Sequence, residues 1–65
     1  MDCISLGKRI EAAREQAGLT QEDLADRLGM STTYISVIKR GVKPPKLDTF
    51  VRIANVLNVS VDNLL

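Results

Sequence analysis

QEDLADRLGMSTTYISVIKRG, running from Gln21 to Gly41, decides the fold of this 65-residue chain. It holds two short apolar-periodic runs on either side of a glycine. In the first, Leu24, Ala25 and Leu28 form a stripe at helical spacing; in the second, Ile35 and Ile38 do the same. Thr20 stands before the first run with Asp23 three residues on, a short-armed capping box, and Ser31 stands before the second. Gly29 and Gly41 follow the runs, where a left-handed backbone costs glycine almost nothing. This predicts two helices packed at a steep angle over residues 21–40, with Ala25 at their close crossing.

Outward from this centre, three more helical segments are readable. The first spans about Leu6 to Ala17, with Leu6, Ile10, Ala13 and Ala17 on one face and Gly18 as its stop. Gly7 falls in its first turn, either to permit a close backbone contact or to mark a frayed start. Pro44 and Pro45 keep residues 42–46 out of a helix, because each proline disfavours helix in the residue before it. The fourth runs from about Leu47 to Leu57, with Leu47, Phe50, Ile53, Ala54 and Leu57 inward. Its cap position holds Lys46, a poor capper, although Asp48 suits the dipole of the first turn. Asn58 is read as its left-handed stop. Ser60 then caps a short fifth helix, Val61 to Leu65. Four short connections make a single compact all-α, five-helix bundle over residues 1–65 the economical architecture.

Composition narrows the function. At this size folding buries only about 60% of the surface of the unfolded chain, so stability is limited. Cys3 is the only cysteine, so no disulfide is available; a lone thiol fits a reducing cytoplasm. With no histidine, a zinc finger lacks its ligands, and nucleophile–base pairs of the commonest types cannot be built. Glu11 and Glu15, and Glu22 and Asp26, share helix faces at i, i+4 and read as surface carboxylates. No glycine-rich phosphate loop appears. No apolar run approaches the ~20 residues of a membrane span, and no signal-peptide pattern opens the chain. The reading is a non-enzyme without metal, membrane partner or small-molecule cofactor.

Charge points to a partner. The net charge is only +1, but five of the nine basic residues lie between Asp26 and Asp48, a stretch without a single acid. Once Ile35 and Ile38 turn inward, the helix from residue 32 to 40 leaves Thr32, Thr33, Ser36 and Val37 outward. Short hydroxyl side chains let a helix approach base edges, and threonine and valine methyls can touch a thymine methyl. Val37 is either that contact or an ordinary exposed valine; Thr33, four residues earlier on the same face, favours the contact. Gln21 sits at a helix N-terminus that attracts anions. Tyr34 offers a phenol, and Lys39, Arg40, Lys43 and Lys46 offer cations to phosphates at the groove edges. The bland alternative for these bases is a solvated loop.

These residues resemble the helix-turn-helix domain of phage-repressor and Xre-type regulators, the lambda-repressor-like fold. The resemblance runs from Leu6-Gly7-Lys8-Arg9-Ile10 to Val59-Ser60-Val61-Asp62-Asn63-Leu64-Leu65. It is strongest over residues 18–25 and from Leu28-Gly29-Met30-Ser31 through Tyr34-Ile35-Ser36. It implies a five-helix domain, usually dimeric, that binds a double-stranded DNA operator with two related half-sites, residues 32–40 being the recognition helix. By that analogy Thr32, Thr33, Ser36 and Val37 read bases, while Gln21 and Arg40 hold the backbone. Many relatives pair a glutamate late in the recognition helix with an arginine of the first helix. Here Arg14 holds the arginine position but Lys39 replaces the glutamate, so that bridge is absent and Lys39 is expected toward solvent or phosphate. The expected function is a sequence-specific transcriptional regulator, a repressor acting as a homodimer in the cytoplasm. The rival is a helical protein-interaction module on the same fold, with Val61, Leu64 and Leu65 closing the core or meeting a second copy.

Overall fold

Asp2 opens the first helix. Its side chain accepts the amide of Ile4 at 3.0 Å and the hydroxyl of Ser5 at 3.1 Å, and α1 (Cys3–Gln16) follows. A computed structural model describes residues 2–65. Four further helices follow: α2 (Gln21–Leu28), α3 (Thr32–Arg40), α4 (Leu47–Leu57) and α5 (Val61–Leu64). There is no strand among the described residues.

The caps explain the boundaries. Thr20 accepts the amide of Asp23 at 3.0 Å and the Asp23 carboxylate accepts the amide of Thr20 at 2.9 Å, closing the capping box of α2. Ser31 caps α3 and Ser60 caps α5 by the same side-chain acceptance. Gly29 and Gly41 close α2 and α3 with φ of +68° and +72°, and Asn58 closes α4 at +58°. Lys46 gives α4 no side-chain cap.

One core joins all five helices. Leu24, Leu28, Ile53 and Leu64 are fully buried at its centre, with Leu6, Ile10, Ile35, Ile38, Phe50 and Leu57 around them. Each such side chain contributes about 1.5–3 kcal/mol on burial. α1 packs along α3, α2 lies between α3 and α4, and α5 closes on α4 and α1.

Four details differ from the expectation. α1 starts at Cys3 and not at Leu6, because the Asp2 cap precedes the apolar period by a full turn. Gly7 is therefore a buried interior residue of a continuous helix, and it makes the close contact: a Cβ there would lie 2.4 Å from the Ile38 carbonyl oxygen. Ala17, expected inward, is exposed, since α1 ends at Gln16 and the chain turns away through Gly18 at φ +74°. Leu47, also expected inward, is 77% exposed. It stands about 60° round the helix from Phe50, on the flank that also carries the exposed Val51. Thr49, on the other flank, is buried in its place. At the end of the chain, Leu64 closes the core while Leu65 lies outside α5 and is half exposed.

Candidate nucleic-acid interface

The presentation of α3 follows from its attachments. Ile35 and Ile38 bury one side, and Gly7 lets the α1 backbone touch the α3 carbonyls of Ile38 and Lys39. The opposite side therefore faces outward. Thr32 and Thr33 are exposed in the first turn, while Ser36 and Val37 are half-buried a turn later. The Ser36 hydroxyl donates to Gln21 Oε1 at 3.4 Å, tying α3 to the start of α2. All four side chains expected outward thus border one surface, with Gln21 at its edge.

The basic residues divide. Arg40 is exposed and its Nε donates to the Ser36 carbonyl at 3.4 Å, which lays the guanidinium back along the outer face of α3. Lys43 and Lys46 are exposed in the loop 41–46. Tyr34 is half-buried against the core; it lines an open groove with Met30, Ser31, Lys46 and Thr49, between the starts of α3 and α4. Lys39 departs from this group. Its Nζ lies 3.9 Å from Glu11 Oε1 on α1.

That contact belongs to a cluster the sequence reading missed. Arg14 pairs with the same Glu11 oxygen and donates to the Leu19 carbonyl. Glu11 is only 15% exposed, so it is not the surface carboxylate it resembled. Its hydrogen bond holds the Arg14 guanidinium above its ordinary pKa. In place of a direct pairing between Arg14 and residue 39, a carboxylate stands between two cations. Glu11 lies four residues after Gly7, and hence on the α3-facing side of α1, and that spacing was the available signal.

Other bases also serve the fold. Arg52 Nη2 donates to the Leu28 carbonyl at 2.6 Å, at the negative end of α2, and Arg9 Nη1 donates to the Leu65 carbonyl at 2.7 Å. On α2 the exposed Asp23 carboxyl is held below its ordinary pKa by the Thr20 amide and hydroxyl, with Arg27 adding a smaller pull. Among the described residues no three His, Cys, Asp or Glu side chains gather as a metal site. No described helix is long and apolar enough to cross a membrane.

Known proteins share this fold. A family model described as Helix-turn-helix matches residues 10–64. The transcriptional regulator ImmR of Bacillus subtilis is 40% identical over 62 residues, which cover 95% of this chain and 49% of ImmR. The chain thus spans about half the length of that relative. Among solved structures, the restriction-modification controller protein C.AhdI from Aeromonas hydrophila superposes with a TM-score of 0.92 at 28% identity, covering 98% of this chain and 97% of that one. SinR, a master regulator for biofilm formation solved in complex with DNA, superposes with a TM-score of 0.84 at 32% identity, covering 91% of this chain and 95% of that one.

Proposed function

The chain belongs to the helix-turn-helix family, and from that premise we propose that residues 1–65 act as one sequence-specific DNA-binding unit of a transcriptional regulator. The single observation that carries this reading is the outer surface of α3. There Thr32, Thr33, Ser36 and Val37 border one face, Arg40 lies back over the Ser36 carbonyl, and the exposed Lys43 and Lys46 follow in the loop after the helix, with no acid in the chain between Asp26 and Asp48. In the proposal α3 enters the major groove. Thr32, Thr33, Ser36 and Val37 meet base edges, where hydroxyls and methyls discriminate. Arg40, Lys43, Lys46, Tyr34 and the N-terminal end of α2 at Gln21 meet phosphates, which set register without reading sequence. The DNA complex of SinR and the regulator name of ImmR are consistent with this partner.

The finer assignment is a repressor that works as a homodimer in the cytoplasm, as the resemblance to phage repressors suggests. Two α3 helices about 34 Å apart would then read successive major grooves on one side of the duplex. No catalytic role is part of the proposal. Selection of bound sites from random duplexes tests it: the expected product is a symmetric consensus with half-sites about one helical turn apart. Recovery of no consensus, with binding to a protein partner instead, would favour the interaction-module reading.

A further inference from the structure

We infer that Glu11 is a positioning residue that holds Lys39 on the α1 side of the recognition helix and keeps it off the DNA backbone. This rests on the DNA-binding reading above, and it removes Lys39 from the phosphate contacts expected of the basic stretch.

Three observations carry it. First, Glu11 Oε1 is shared by Arg14 and Lys39, the lysine Nζ standing 3.9 Å away. Second, the carboxylate cannot swing out to release the lysine. Arg14 and Glu11 are only 13% and 15% exposed, and Arg14 is already fixed at its other end on the Leu19 carbonyl. Arg14 Nε has no hydrogen-bond partner, so Glu11 and that carbonyl are all that satisfies the guanidinium. Turning Glu11 away would leave a largely buried cation matched by one carbonyl. Third, the backbones of α1 and α3 touch at Gly7, against the Ile38 and Lys39 carbonyls. Glu11, one turn further along the same face of α1, is therefore held beside the last turn of α3. Lys39 lies about 120° round the helix from Thr33. Arg40, the next residue, lies back along the outer face instead, on the Ser36 carbonyl.

The arrangement has a consequence for binding. Each cation that neutralises a phosphate releases counterions and steepens the salt dependence of DNA affinity by about 0.9 in log–log slope. Lys43 contributes to that slope and Lys39 does not, while Glu11 is present. The test measures binding to a short random-sequence duplex over a series of salt concentrations for the unsubstituted chain and for K43Q, K39Q, E11Q and E11Q/K39Q. Circular dichroism first establishes that each variant is folded. The expected result is a slope reduced by about 0.9 in K43Q and unchanged in K39Q. In the E11Q background Lys39 is released, so adding K39Q there lowers the slope. A merely structural role for Glu11 would not make the slope effect of K39Q depend on residue 11.

A K39Q chain whose slope falls as far as that of K43Q overturns the inference, as does a K39Q substitution that stays silent in the E11Q background. Should E11Q fail to fold, E11A takes its place in the same comparison, and a K39Q chain whose slope falls as far as that of K43Q overturns the inference without either. If the unsubstituted chain shows no salt-dependent binding at all, the DNA-binding reading itself falls, an outcome distinct from a loss of slope in K39Q.

Discussion

Replacing Gly7 with alanine tests the contact that sets the pose of α3. An ideal Cβ at this position would lie 2.4 Å from the Ile38 carbonyl oxygen, 2.6 Å from that of Lys39 and 3.1 Å from the Lys39 carbonyl carbon. Carbon–oxygen contacts settle at about 3.3–3.6 Å, so α1 and α3 have to part by roughly 1 Å. The obstructing atoms are helix backbone and cannot rotate aside. Against this, alanine gains up to ~1 kcal/mol over glycine in a helix interior. Overpacking of a fitted core costs about 1–3 kcal/mol, and two carbonyls met by one methyl place Gly7→Ala at the upper end of that range. The balance is a net loss of about 1–2 kcal/mol. For a domain of this size each kcal/mol moves the midpoint by about 4–8 °C, so the melt should fall by roughly 5–15 °C. Thermal unfolding followed by circular dichroism reads it directly. A variant that melts at or above the temperature of the unsubstituted chain would show that propensity outweighs contact, and would refute the close packing of α1 on α3.

Removing the hydroxyl of the α2 cap with Thr20→Ala should cost about 1 kcal/mol in denaturant unfolding. Asp23, on the other side of that capping box, has its folded pKa lowered, so its stabilisation is complete above the unfolded value of about 3.9 and is lost as pH falls through the folded value; the gap in melting temperature between the unsubstituted chain and Asp23→Asn should therefore close in acid. Ile53→Ala, at a position with 0% exposure, should cost about 2–5 kcal/mol. Leu47→Lys, at a 77% exposed position, should stay within about 0.5 kcal/mol, and a large loss there would contradict the placement of Leu47 outside the core. On DNA, Arg40→Ala should weaken binding to all sequences alike and flatten the salt slope by about one. Val37→Gln or Thr33→Ala should instead change the preferred base at one position, by roughly 1–3 kcal/mol per good contact, as read by site selection.

Much of this architecture is written in local signals. Thr20, Ser31 and Ser60 cap the helices whose starts they mark, and Gly29, Gly41 and Asn58 take the left-handed stops. These depend on neighbours in the chain, which a sequence displays. Contacts across the fold were less legible. Leu47 is apolar at the start of α4 and reads as part of its stripe, yet it stands at the stripe's edge, on the flank of Val51, and lies in solvent. Glu11 reads as one of a pair of surface acids until α3 is laid against α1. The outward positions on α3 could be read because Ile35 and Ile38 define the opposite side. The tie between Ser36 and Gln21 needed the relative placement of two helices.

The same contacts explain how a nine-residue helix can be held in place as the proposed reading surface. A helix as short as α3 is marginal alone, since isolated helices need about 12–15 residues even with favourable sequences. Its stability has to come from outside. Ile35 and Ile38 enter the shared core, its carbonyls lie against Gly7, its start is capped by Ser31, its end is closed by Gly41, and Lys39 is drawn to Glu11. All of these act on the inner side or at the ends. On the outer side, Thr32 and Thr33 are exposed and take part in none of the side-chain hydrogen bonds that hold the fold. Substitutions there can alter the proposed recognition while removing none of those bonds, so their cost in stability is that of helix propensity in the first turn, up to about 0.7 kcal/mol for an ordinary residue. Ser36 and Val37 are half-buried and Ser36 bonds to Gln21, so changes at these two positions affect both properties together. The division follows from geometry: α3 is fixed from one side, which leaves the other side free to vary.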